Sequence, residues 1–114
     1  MRATSRLCDV SINTVTKLLV DVGGACSEYQ DKVFRHLACK RIQCDEIWSF
    51  CYAKEKNVPE ALKGRLGFGD VYIWTAICAD SKLVPCFAVG PRNVETAHAF
   101  IADLAGRLAH LASN

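Results

Sequence analysis

The hydrophobic period of this chain switches from helical to alternating at residue 42, and that switch limits the folds open to it. Before it, apolar residues recur at helical spacing; from IQCDEIWSFCYAK onward they alternate in short β-branched and aromatic runs. Three such runs, 42–54, VYIWTAICAD (71–80) and LVPCFAVG (83–90), predict three strands. Asp80-Ser81-Lys82 predicts a tight turn that pairs the second and third as an antiparallel hairpin. KEKNVPEALKGRLGFGD, between the first two strands, reads as a polar loop with one helical turn.

The helical part divides further. Residues 3–22 carry two short patterns around Cys8-Asp9-Val10, with Ser11 placed to cap the second. Ile12, Val15, Leu18, Leu19 and Val22 share one face of that second helix, and Gly23-Gly24 is expected to end it. A third helix is expected over 25–41, with Tyr29, Val33, Phe34 and Leu37 apolar and Lys40-Arg41 at its C-terminal end. A last helix follows the strands: Asn93 caps, Glu95 lies in the first turn, and Ala97, Phe100, Ile101, Leu104, Leu108 and Leu111 form its apolar face.

The expected fold class is therefore α+β, with a helical segment over 1–41 and a three-stranded antiparallel sheet covered by one helix over 42–114. Such a sheet leaves its other face and one edge bare, so self-association is expected. At 114 residues, 51% hydrophobic, the chain suits one domain or a small domain with an accessory segment. Its apolar runs are broken far short of the roughly 20 residues a membrane helix needs, and MRATSRLCDV lacks a signal peptide's apolar run, so the expected address is cytoplasmic. The seven cysteines show no C-x-x-C pair and read as small buried hydrophobes.

Charge is uneven. Residues 1–41 carry seven Lys/Arg against four Asp/Glu, net +3, and residues 42–114 carry seven against eight, net −1. The basic excess points mildly to a polyanion at the helical end. There, the helix–break–helix of 3–22 has the dimensions of a helix-turn-helix, and Ser11, Asn13, Thr14 and Lys17 are chemically suited to base edges and phosphates. Two packed helices with a solvated polar face would give the same pattern.

Asp45 and Glu46 stand inside the first strand and must look to opposite sides of it. An ionised carboxylate on a half-buried strand needs a partner, a metal or solvent. Asp45 reads either as a ligand for Mg²⁺, which favours carboxylate oxygen, or as a solvent-facing or ion-paired strand acid. His36, His98 and His110 are scattered. GRLGFGD precedes a strand and is a flexible connection, not a phosphate loop; the loop cations Lys54, Lys56, Lys63 and Arg65 could touch a nucleic-acid backbone, and Asp80 serves its turn.

VSINTVTKLLVDVG, IQCDEIWSFCYAKEKNVPE, WTAICADSKLVPCFAVG and ETAHAFIADLAGRL, in this order and spacing, resemble the bacterial insertion-sequence transposases of the insertion-sequence-one type, over about residues 3–112. That family belongs to the DDE class. The resemblance implies a ribonuclease H-like core, here incomplete, preceded by a helix-turn-helix at 3–22 that binds DNA at transposon terminal inverted repeats. It implies Asp45 as the first acid of a catalytic triad that holds two Mg²⁺ for attack on a DNA phosphodiester. The family's second Asp and its Glu lie beyond the last helix, and this chain ends before both; the zinc-binding cysteine segment of longer members is also missing upstream. The implied reading is a truncated transposase, unable to catalyse alone. The alternative is a non-catalytic DNA-binding module that occupies transposon ends and inhibits, or associates with, a full-length transposase.

Overall fold

The computed structural model describes residues 1–109. The fold is α+β: among the described residues, helices α1 (Arg2–Cys8) and α2 (Ile12–Val33) precede strands β1 (Ile42–Cys51), β2 (Gly69–Cys78) and β3 (Phe87–Gly90), and helix α3 (Val94–Arg107) follows. Two single 3₁₀ turns, Glu55–Asn57 and Glu60–Leu62, punctuate the β1–β2 loop. The chain divides into two compact units, Met1–Phe34 and Arg35 onward.

In the first unit, Asp9 takes the left-handed conformation (φ 52°) that ends α1, and its backbone N–H donates to the Ser5 carbonyl. Asparagine and aspartate tolerate that conformation better than most residues with a Cβ. Ser11 caps α2 as expected, its hydroxyl accepting from the Asn13 N–H at 3.2 Å. The helix then departs from expectation. Gly23-Gly24 does not stop it; α2 runs unbroken for 22 residues to Val33, and there is no separate helix over 25–41. A glycine pair only weakens a helix interior, by about 1 kcal/mol per residue, and helical spacing continues on both sides of it. The helix ends at Phe34, whose N–H donates to the Gln30 carbonyl.

The second unit holds the antiparallel sheet, in the order β1-β2-β3. Residues opposite one another across an antiparallel pair project from the same face. Glu46 faces Trp74 and Asp45 faces Thr75, so the two acids lie on opposite faces, as expected. Trp74, Ala76 and Cys78 pack with Phe100, Leu104 and Leu108 into the core between the sheet and α3, joined by Cys39 and Cys86. The other face carries Ile47, Phe87 and Val89, all exposed. One apolar sheet face is thus covered and the other open, as the count of elements required.

β3 is shorter than predicted. Pro85 has no N–H for the ladder, so regular pairing begins only at Phe87, although Cys78 and Ala76 donate to the Leu83 and Cys86 carbonyls. The cysteines also correct an expectation: Cys39, Cys78 and Cys86 are buried, but Cys8, Cys26, Cys44 and Cys51 are exposed. Among the described residues no helix is long and apolar enough to cross a membrane. Leu111 and His110 lie outside the described residues.

Candidate functional site

Among the described residues β1 pairs only with β2, so one long edge of the sheet is open. The phase of that edge follows from one bond. Ala79 donates to the Arg41 carbonyl at 2.9 Å, which makes Arg41, Gln43, Asp45 and Ile47 the residues that exchange ladder bonds with β2. Cys44, Glu46 and Trp48 therefore turn their N–H and C=O groups outward. The Glu46 N–H finds a substitute partner, donating to the Asp45 Oδ1 at 2.8 Å.

The two acids differ in their partners. Glu46 Oε2 lies 2.8 Å from the Arg92 Nε, an ion pair that joins β1 to the turn after β3. Asp45 is exposed and keeps Oδ2 clear of that bond to the strand backbone. Both line an open hollow of about 310 Å³ between the β1 edge and α3, with Cys44, Trp74, Phe100 and Ile101 as its walls. Trp74 is buried, and its Nε1 has no hydrogen-bond partner. An exposed carboxylate at the rim of such a hollow can accept hydrogen bonds or ligate a hard cation. Among the described residues, no three His, Cys, Asp or Glu side chains gather as a metal-holding group.

Ser11, Asn13, Thr14 and Lys17 are all exposed in the first turns of α2. Ser11 spends its hydroxyl on the cap, and Lys17 is paired with Asp21 at 2.6 Å. The pair is well exposed, so a phosphate can compete for the ammonium at little cost. Asn13 and Thr14 stand next to one another, one turn before Lys17.

One loop cation sits over an aromatic ring and another is ion-paired. Lys54 Nζ is 5.5 Å from the centroid of the Trp48 ring, and Lys63 pairs with Glu60 at 3.0 Å. Glu55 and Asp70 bond each other's backbone N–H groups and close the loop. Gly64, Gly67 and Gly69 have φ of 78°, 88° and 100°, so GRLGFGD is a chain of left-handed turns and carries no phosphate-cradling helix start. His98 is exposed on α3.

Two partnerships escaped the sequence reading. Arg92 for Glu46 carries no local signal, because the residues meet only once the sheet forms. Asp80 does more than serve its turn, since its Oδ1 accepts from the Arg41 Nη2 at 2.6 Å and clamps the start of β1 to the end of β2. Comparison with known proteins returns no match: no family model, no curated protein and no solved structure matches the chain.

Proposed function

We propose that this chain is part of a DDE-type DNA transposase, with a helix-turn-helix in α1 and α2 that binds terminal inverted repeats and a ribonuclease H-like core that begins at β1. One observation carries the reading: Asp45 sits mid-strand at the open edge of a three-stranded antiparallel sheet whose chain continues into a covering helix. An acid in that position is free to share a metal with groups supplied by a further strand. Supporting it at the other end, Asn13, Thr14 and Lys17 are exposed at the start of α2, where a recognition helix meets base edges and phosphates.

Mg²⁺ belongs to this reading as the family's metal. Asp45 offers it one carboxylate; Glu46 is already held by Arg92. The described residues therefore do not fit a two-metal centre by themselves, and the chain alone is expected to bind DNA without cutting it. That favours, as a second reading, a DNA-binding module that occupies transposon ends and competes with a full-length transposase.

A gel shift of the full chain on inverted-repeat DNA tests both. The expected result is a complex that weakens about tenfold or more for Asn13→Ala, from loss of a base contact, and weakens with salt for the native chain. Binding that Asn13→Ala and Lys17→Ala leave unchanged would remove α2 from the interface. Strand cleavage by the chain alone would reject the non-catalytic reading.

A further inference from the structure

The continuity of α2 joins two apolar patterns that the glycine pair separates in the sequence. Ile12, Val15, Leu19, Val22, Cys26, Tyr29 and Val33 follow at steps of three and four residues in strict alternation. That is a 3.5-residue repeat held for three heptads, the pattern of a coiled-coil seam. No residue of α2 is buried, and Leu19, Val22 and Tyr29 are 59%, 50% and 64% exposed.

The charges follow the same register. With Ile12 at position a, Lys17 and Asp31 fall at f and Asp21 and Glu28 at c, all turned away from the seam. The e and g flanks hold Thr16, Leu18, Gly23, Ala25, Gln30 and Lys32, a rim with one charge. A second copy of the same helix therefore meets an apolar stripe and no row of like charge. The outer face, with three acids against Lys17, is wrong for an anionic lipid surface, where an interfacial helix carries Lys and Arg. α1 lies against the first turns of α2, where Thr16 Oγ1 is 3.8 Å from the Met1 Sδ, and a helix with glycines at its centre gains from a partner along the rest of its length.

We propose that α2 is a dimerisation helix, pairing with α2 of a second copy of the chain through this seam from Leu19 to Val33, about 20 Å. Asn13, Thr14 and Lys17 occupy b, c and f and stay outside the pair, so dimerisation does not depend on the DNA reading and would survive its failure.

Sedimentation equilibrium of the full chain without DNA tests the pairing. The expected result is a reversible dimer whose dissociation constant rises at least tenfold for Leu19→Ala/Tyr29→Ala, alanine being chosen because it keeps the helix. Glu28→Lys, on the outer face, and Phe87→Lys, on the open sheet face, leave the dimer unchanged. Circular dichroism confirms that the alanine variant is still folded. A wild-type chain that stays monomeric at every concentration overturns the proposal. So does a dimer lost with Phe87→Lys and kept with the alanine pair, which would assign association to the sheet.

Discussion

Arg92 reaches across the sheet to Glu46, its Nε 2.8 Å from Oε2, although β2 lies between the strands these residues belong to or follow. The pair neutralises one of two adjacent acids, while Asp45, among the described residues, accepts from a backbone N–H. The difference in partners between these neighbouring carboxylates thus involves a residue 46 positions beyond Glu46.

Arg92→Ala should destabilise the sheet unit by about 0.5 kcal/mol, since Arg92 is largely exposed and the pair is partly screened. Chemical denaturation of Arg92→Ala, Glu46→Gln and the double variant gives the coupling. A double variant whose loss equals the sum of the singles would mean that the contact contributes nothing.

Divalent cations should bind the chain weakly, with a dissociation constant on the order of millimolar, and Asp45→Asn should abolish that binding while Glu46→Gln spares it. Asparagine still accepts from the Glu46 N–H, so the strand edge is preserved and loss of the ion reports the charge alone. Line broadening by Mn²⁺ at residues of β1 reads this directly. Equal broadening in Asp45→Asn places the ion elsewhere.

Gly24→Ala should stabilise the first unit by about 1 kcal/mol, because the position is helical and a Cβ there meets nothing within 4 Å. Helical content by circular dichroism, followed through thermal unfolding, checks it. If the glycines ended the helix in a left-handed cap, the same substitution would cost stability.

Cys86 gives a pH signature. Burial, and secondarily the Asp103 charge, pushes its thiol from 9.0 up to about 11. The folded chain keeps this proton at pH values where the unfolded chain has released it, so the stabilisation is complete below pH 9.0 and is lost as pH rises through about 11. Urea midpoints across that interval should fall more steeply for the native chain than for Cys86→Ala. Parallel curves would mean that Cys86 does not set the slope.

The elements with a dominant local cause were legible in the sequence. Ser11 and Asn93 cap because each hydroxyl or amide meets an orphan N–H of its own helix, and β1, β2 and the antiparallel pairing of β2 with β3 follow from alternation and turn chemistry. Gly23-Gly24 misled because a glycine pair ends helices only when the following residues also abandon the helical period, and these do not. The candidate site was half readable. Asp45 stood out as an acid among β-formers, but the engagement of its neighbour Glu46 by Arg92 did not, since no spacing rule connects residue 46 to residue 92.

The bond from the Glu46 N–H to the Asp45 carboxylate also makes the border of the sheet a guarded one. Any strand that annexes this border must first evict the carboxylate and supply its own carbonyl in exchange. A carbonyl from such a strand takes over the Glu46 N–H, and the Asp45 carboxylate loses the one bond that ties it to the backbone of its own strand.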